Sequence, residues 1–399
     1  MNDVFGGITT VLNSDNIRAL KTPCYVIDEK KLLHNAEVLS SVISRTGCKI
    51  LLAQKAFSNY DFYPLISGSV SGTEASGLYE ARLGKEEMPE GEVHVFCAAY
   101  RDDEFDEILK YADHIVFNSI HQLKKFGSIA KQHGKSIGIR INPECSTQDG
   151  HEIYDPCARG SRLGVTRNVW DKEMDPDVLA LLDGIHFHTL CEQGADALEI
   201  TLKAVEEKFG DILPQMKWLN MGGGHHITKP DYDVELLERL IISAKEKWNV
   251  EVYLEPGEAV ALNAGYLLTR VLDVVENSDV KIAILDSSAA CHMPDVIEMP
   301  YTPPLMDACS DGSKPYCYRL GGPTCLSGDV IGDYSFDREL KTGDVLVFGD
   351  MAIYTTVKNN TFNGMPLPDI YGLKPDGTFE KLTNFGYKDF KNRLGRISE

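Results

Sequence analysis

Residues 49–57 read Lys49-Ile-Leu-Leu-Ala-Gln-Lys-Ala-Phe57, a short apolar run entered by one lysine and closed by another, Lys55. A run this apolar reads as a strand buried on both faces, the kind that parallel sheets contain. Seven more follow: Val70–Ala75, Val93–Cys97, His114–Asn118, Ser136–Asn142, Gly184–Leu190, Trp218–Gly222 and Val250–Glu255. Between them, segments such as Asp103–Ala112, Ile120–His133, Ala195–Phe209 and Asp233–Trp248 carry apolar residues at helical spacing. Eight strands alternating with helices over about 230 residues predict an α/β fold, a (β/α)8 TIM-like barrel.

After Glu255 the texture changes. Tyr266–Val275, Val280–Asp286, Tyr316–Leu320 and Val345–Thr356 read as strands separated by Gly, Pro and Asp, which predicts a C-terminal mostly-β domain. Upstream of the barrel, Cys24–Asp28 reads as a strand and Glu29–Ser44 as a helix, so the N-terminal strand is expected to join the C-terminal sheet. The expected division is 30–262 for the barrel, with 1–29 and 263–399 forming the β domain.

The 399 residues carry 40 Lys plus Arg against 60 Asp plus Glu, a formal net charge of −20. The length suits two domains, and the charge repels phosphate backbones and anionic headgroups, so neither nucleic acid nor membrane is an expected partner. A cationic small molecule fits the field better. Ten cysteines without a Cys-x-x-Cys pair read as the reduced thiols of a cytoplasmic protein. Met1–Pro23 lacks a basic region followed by an apolar one, and no apolar run of about 18 residues occurs, so export and membrane spanning are not expected.

Barrel sites form where strands end, so reactive residues at the strand tips carry the functional argument. Lys55, at the mouth of an apolar barrel, is partly desolvated, as a Schiff-base lysine requires. His186 and His188 close the sixth run, where a ring can stack on a planar cofactor, ligate a metal or pack in the core. Gly222-Gly223-Gly224 closes the seventh, where backbone N–H groups can approach an anion. Glu255, in Glu255-Pro256-Gly257, closes the eighth, and a carboxylate on a rigid turn can pair with a protonated ring nitrogen. Together these supply what pyridoxal 5'-phosphate needs: aldehyde capture, ring support, phosphate binding and pyridinium pairing.

With those residues in view, the chain resembles the alanine-racemase-like, fold-type III pyridoxal-phosphate decarboxylases from Thr22 to about Thr356. Two long segments carry a closer likeness, to the branch acting on carboxylated polyamines. They are Asp286-Ser-Ser-Ala-Ala-Cys-His-Met-Pro-Asp-Val-Ile-Glu-Met-Pro-Tyr301 and Gly322-Pro-Thr-Cys-Leu-Ser-Gly-Asp-Val-Ile-Gly-Asp-Tyr334. The resemblance implies that Lys55 forms the Schiff base, His188 stacks on the ring, Gly222, Gly223 and Gly224 bind the phosphate and Glu255 pairs with the pyridinium. It adds Cys325, as the group that returns a proton to Cα, and Tyr354, near the phosphate. It further implies a homodimer with shared active sites and a small cationic, polyamine-type substrate.

Two departures bear on that substrate. Many relatives carry Glu-Pro-Gly-Arg, whose arginine meets the phosphate; here the fourth residue is Glu258, which is expected to turn toward a substrate ammonium. The residue after the cysteine, acidic in ornithine or diaminopimelate relatives, is Leu326, and Glu298 stands where diaminopimelate enzymes place an arginine. An apolar wall with acids at intervals, Glu258, Asp295 and Glu298, suits methylenes punctuated by ammonium groups. Cys191 occupies the usual place of a phosphate-binding serine.

Three alternatives stand beside this reading. One is another basic amino-acid decarboxylase of the same fold, diaminopimelate- or ornithine-like. A zinc-dependent barrel hydrolase would use His186, His188, His225, His226 and Asp286, but its His-x-His belongs on the first strand rather than the sixth. A pyridoxal-phosphate carrier would lack the β domain that holds Cys325.

Overall fold

The computed structural model describes residues 4–5, 8–9, 17, 20–148 and 155–395. The outer ends of the expected β domain, 1–3 and 396–399, lie outside the described residues. The chain divides into two compact units, His34–Val260 and a second assembled from the flanking segments, through Leu33 and from Ala261 onward.

Strand β1 (Cys24–Asp28) leads into helix α1 (Glu29–Thr46). The barrel follows as β2 (Lys49–Ala53), β3 (Gly72–Ala75), β4 (Glu92–Phe96), β5 (His114–Phe117), β6 (Ser136–Arg140), β7 (Gly184–His186), β8 (Trp218–Asn220) and β9 (Glu251–Leu254). All eight pair in parallel, and β9 closes on β2 through Lys49 opposite Tyr253 and Ile50 opposite Leu254. Each expected run is a strand, and seven of the eight stop one to four residues early at the C-terminal end, where the chain leaves the ladder to form the loops of the site; Val70–Ala75 ends at Ala75 as expected.

The intervening helices are α2 (Leu78–Glu87), α3 (Phe105–Tyr111), α4 (Ile120–Gln132), α5 (Arg167–Glu173), α6 (Ala195–Phe209) and α7 (Val234–Trp248). Their starts are chemically marked: Ser119 Oγ accepts from Gln122 N before α4, and Asp233 Oδ1 accepts from Leu236 N before α7. In α4 the buried Ile120, Leu123, Phe126, Gly127 and Ala130 recur three and four residues apart, one stripe facing the sheet. Each large member of such a stripe contributes roughly 1.5–3 kcal/mol on burial. At one end of the barrel the interior is filled by Trp218, whose indole donates to Ser136 Oγ at 2.9 Å. It fits because neighbouring strands offer glycines: a Cβ on Gly184 would lie 2.0 Å from that ring, and one on Gly138 2.2 Å.

The second unit is a mixed sheet in the order β12-β14-β13-β11-β10-β1-β16-β17, with β15 also on β10. Its strands are β10 (Gly265–Asn277), β11 (Val280–Leu285), β12 (Ala308–Cys309), β13 (Tyr316–Gly321), β14 (Val330–Phe336), β15 (Val345–Gly349), β16 (Asp369–Leu373) and β17 (Phe379–Lys381). The N-terminal strand does join it: β1 lies antiparallel to β10 and parallel to β16. The long β10 pairs with β1 and β15 in its first half and with β11 in its second, with an irregularity between Val271 and Asp273 where it changes partners.

One expectation needs correcting. The strand expected over Val345–Thr356 ends at Gly349, and Thr355–Lys358 is a helical turn. Asp350 and Tyr354, at φ 55° and 56°, break the extended backbone between them. The structure also adds β12, β14, β16 and β17, which the sequence reading did not contain.

Candidate active site

The tips of the barrel strands are held together by backbone. Ala53 N donates to Pro256 O, Gln54 N to Glu74 O and Glu255 N to Gly222 O. The turn carrying Lys55 is anchored by Gln54, fully buried, whose Nε2 donates to Glu80 O at 2.8 Å and whose Oε1 accepts from Tyr63 at 3.1 Å. Gly257 packs so closely on this turn that a Cβ there would lie 2.6 Å from Ala56 Cβ. The Glu-Pro-Gly turn and the lysine turn are therefore immediate neighbours.

The glycine loop rests on both. Gly222 and Gly224 take φ of 68° and 83°, which only glycine adopts freely. A Cβ on Gly223 would stand 2.4 Å from Glu255 O and 3.2 Å from the His188 ring. Gly222 N donates to Asn220 Oδ1 at 2.9 Å and Gly223 N to His188 Nδ1 at 3.1 Å. Burial, followed by the charge of Lys55, pushes the His188 pKa well below its usual range, so a neutral ring stands beside the loop.

Glu255 is buried and gripped at both oxygens, by Asn220 Nδ2 at 2.6 Å and by His186 Nε2 at 3.0 Å. Burial opposes its charge, but pairing with His186, aided by His94 and Lys55, outweighs that and holds the carboxyl at about 2. Glu74, also buried, goes the other way: burial lifts it to about 8, with the Lys55 charge pulling down and the Glu255 charge pushing up. Two carboxyls at one strand-end cluster are thus separated into an acid and a base near neutral pH. Lys55 makes no hydrogen bond or ion pair with any described residue, while its charge reaches Glu74, Glu255, His188 and Cys191. The Cys191 thiol is pushed up to about 12, chiefly by burial and then by Glu258, and stays neutral.

Of the expected residues, the barrel unit brings together Lys55, His188, Gly222 to Gly224 and Glu255. Glu258 pairs with His226 Nε2 at 3.0 Å. In the other unit, Cys325 is exposed and its N–H donates to Asn363 Oδ1 at 2.8 Å. Its loop is braced by buried Asp329, which accepts from Thr324 Oγ1 at 2.6 Å and Ser288 Oγ at 2.9 Å. Tyr354 stands in the left-handed region just before the turn that carries Lys358, and Lys358 pairs with both Asp295 and Glu298, the latter at 2.7 Å. All three acids expected to meet a substrate ammonium already hold a protein partner, His226 for Glu258 and the Lys358 ammonium for Asp295 and Glu298.

The zinc set does not assemble. Asp286 accepts from Thr22, Thr269 and Arg270 N at 2.6–2.8 Å. His186, His188 and His226 are committed to Glu255, Gly223 and Glu258. Among the described residues one other group could gather on a metal, Glu92, His94 and His114 at the opposite strand ends. There the two rings lie parallel, 3.8 Å apart, so their lone pairs run side by side, and Lys49 already occupies Glu92.

Sequence reasoning passed over Glu74, Arg140 and Asn220, and weighed His186 as a stacking ring, a metal ligand or a core residue but not as a partner of Glu255. Each sits at or beside a strand tip, so the rule that found Lys55 and Glu255 could have found them. Arg140, His186 and Asn220 are successive cross-strand partners. Arg140 donates to His188 O at 3.0 Å and lays its guanidinium 4.7 Å from the Phe96 ring centre.

Residues 24–352 match the family described as pyridoxal-dependent decarboxylase, C-terminal sheet domain. The chain belongs to the pyridoxal-dependent decarboxylases. It is 44% identical over 385 residues to the carboxynorspermidine/carboxyspermidine decarboxylase of Campylobacter jejuni, covering 94% of this chain and 98% of the relative. It is 39% identical to the carboxyaminopropylagmatine decarboxylase of Synechocystis, covering 96% and 98%. A crystal structure of carboxynorspermidine decarboxylase with norspermidine, from Campylobacter jejuni, superposes with a TM-score of 0.86 at 43% identity, covering 94% of this chain and all of that one. This decarboxylase uses pyridoxal phosphate, and its barrel residues fit that cofactor. An unpartnered lysine, a neutral histidine, a loop in which any Cβ would collide with backbone and an ionised buried glutamate converge at one strand-end cluster.

Proposed function

We propose that this decarboxylase converts carboxynorspermidine and carboxyspermidine to norspermidine and spermidine, a step of polyamine biosynthesis. The observation that carries the substrate is the 44% identity, nearly end to end, to an enzyme named for those two compounds. The acidic net charge agrees with a cationic substrate.

Bound pyridoxal phosphate supplies an aldehyde that captures amines and a protonated ring that accepts the electron pair left when carbon dioxide departs. Lys55, without a partner among the described residues, would hold the cofactor through its aldehyde. Glu255, ionised and buried, keeps the ring nitrogen protonated. His188 would support the ring, and Gly222 to Gly224, with Tyr354, would hold the phosphate. Cys325 returns a proton to Cα. Glu258, Asp295 and Glu298 exchange their protein partners, His226 and Lys358, for substrate ammonium groups; an unchanged KM in Glu258→Gln with polyamine substrates would remove the first of these roles.

The enzyme acts as a homodimer in which Cys325 of one copy serves the barrel of the other. Mixing inactive Lys55→Ala with inactive Cys325→Ala protein should restore part of the activity; no recovery after subunit exchange would argue against shared sites. It works in the cytoplasm, in keeping with ten cysteines that are all free. Among the described residues no helix is long and apolar enough to cross a membrane.

The deciding experiment is kcat/KM for carboxynorspermidine, carboxyspermidine, carboxyaminopropylagmatine and diaminopimelate. The first two, which differ by one methylene worth about 1–3 kcal/mol at most, should lead. A higher value with carboxyaminopropylagmatine would reassign this chain to the activity of its Synechocystis relative.

A further inference from the structure

Glu255 is held from two neighbouring strands. His186 and Asn220 are cross-strand partners at the ends of β7 and β8, and each donates to a different carboxylate oxygen. Asn220 cannot turn over, because its Oδ1 accepts from Gly222 N. An ionised carboxylate only accepts hydrogen bonds, so the proton of the His186 contact resides on Nε2. Nδ1 of that ring, on a residue only 1% exposed, has no partner among the described residues. This is the arrangement of a neutral imidazole with one N–H spent and one bare lone pair kept dry. Burial favours the neutral form, and the charges of Arg140 and Lys55 add to it against the pull of Glu255. The ring is also fixed in plane, stacked on Phe96 with centres 5.6 Å apart and 17° between planes.

We propose that His186 is a positioning residue for the decarboxylation, a neutral Nε2–H donor that locks the Glu255 carboxylate in one orientation and leaves it ionised opposite the cofactor ring nitrogen. A cationic imidazolium would compete with the pyridinium for the same carboxylate; a neutral donor orients it without cancelling its charge. Removing the donor leaves Asn220 on one oxygen only and frees the carboxylate to rotate. The groups whose charge bears on this pair are Arg140 from β6, Lys55 after β2, His94 from β4 and Glu74 from β3. The inference rests on the assignment of Glu255 to the ring nitrogen.

The test is nitrogen NMR on the full-length holoenzyme, with the pyridine nitrogen of the cofactor and the histidine rings labelled. In the wild type the pyridine nitrogen should stay protonated throughout the pH range in which the protein is folded, and His186 should be the neutral Nε2–H tautomer. In His186→Leu the proton affinity of that nitrogen should fall about tenfold or more, one pKa unit, and kcat by about 10–100-fold with KM little changed. His186→Gln, which restores an N–H donor, should recover both. A His186 imidazolium or Nδ1–H tautomer in the wild type overturns the proposal, even if the leucine variant does not fold. So does a pyridine nitrogen in His186→Leu that titrates as in the wild type. Failure of the wild type to take up pyridoxal phosphate would overturn the cofactor assignment itself, a different outcome from a bound ring with an unperturbed nitrogen.

Discussion

The two ends of the barrel carry nearly the same residues and put them to opposite use. At the N-terminal ends, Lys49, Glu92, His94, His114, Tyr253 and Glu251 form a closed network. Glu92 pairs with Lys49, accepts from His94 Nε2 at 3.2 Å and lies 3.0 Å from the Tyr253 hydroxyl, while Lys49 also meets Glu251 at 3.3 Å. At the C-terminal ends Lys55 has no such partner among the described residues, Glu74 Oε2 is buried and unpaired, and Glu255 is ionised under a two-point grip. A lysine whose charge is satisfied is structural; one left open beside a buried acid and base is available for chemistry. Strand polarity separates the two, since the loops that bring Glu74, His188, Gly222 and Glu255 together exist only where the strands end.

Exchanging the two lysines gives the largest contrast. Lys55→Ala should abolish turnover and covalent retention of the cofactor, whereas Lys49→Ala should keep both; loss of cofactor from the Lys49 variant, measured by absorbance after gel filtration, would erase the distinction.

Glu74 and Glu92 should respond to pH with opposite sign. The folded protein keeps a proton on Glu74 up to about 8, one the unfolded chain loses near 4.5, so this group subtracts stability as pH rises between those values. Cofactor-free Glu74→Gln should therefore exceed the wild type at about pH 8 by roughly 2 kcal/mol and lose that advantage near pH 4, read from denaturant midpoints. Midpoints equal to the wild type at both would place Glu74 as an ordinary carboxylate.

Burial opposes the Glu92 charge, but hydrogen bonds from His94 and Lys49 bring its carboxyl down from 4.5 to about 2. Its contribution is present above the unfolded value and lost as pH falls through that interval. Glu92→Gln should cost about 1–2 kcal/mol at neutral pH, with most of that cost gone by about pH 2, where the carboxyl begins to take up its proton in the folded protein. The smallest effect belongs to Lys49→Met, about 1 kcal/mol with kcat/KM unchanged, because that lysine is partly solvated.

The barrel strands were legible because a strand covered on both faces must be apolar throughout, which left eight recognisable runs. Lys55, Glu255 and the glycine loop were legible because they terminate those runs. Strand β14 was not, because Asp333 and Ser335 interrupt its apolar positions. The turn at Thr355–Lys358 was hidden because nothing local announces the left-handed backbone of Tyr354. The partners of polar residues were the least accessible. That Arg140, His186 and Asn220 form one row depends on register across three strands, and that Glu258 meets His226 depends on a loop 32 residues away. Local pattern encodes burial; long-range pairing decides which buried polar groups are free to react.

Borohydride reduction of the cofactor-loaded wild type, followed by peptide mass mapping, addresses the role of Lys55 at the barrel mouth. The pyridoxyl label should reside on the peptide containing Lys55 alone. Label on Lys49 or any other lysine, or a protein left unlabelled at saturating cofactor, would contradict the assignment.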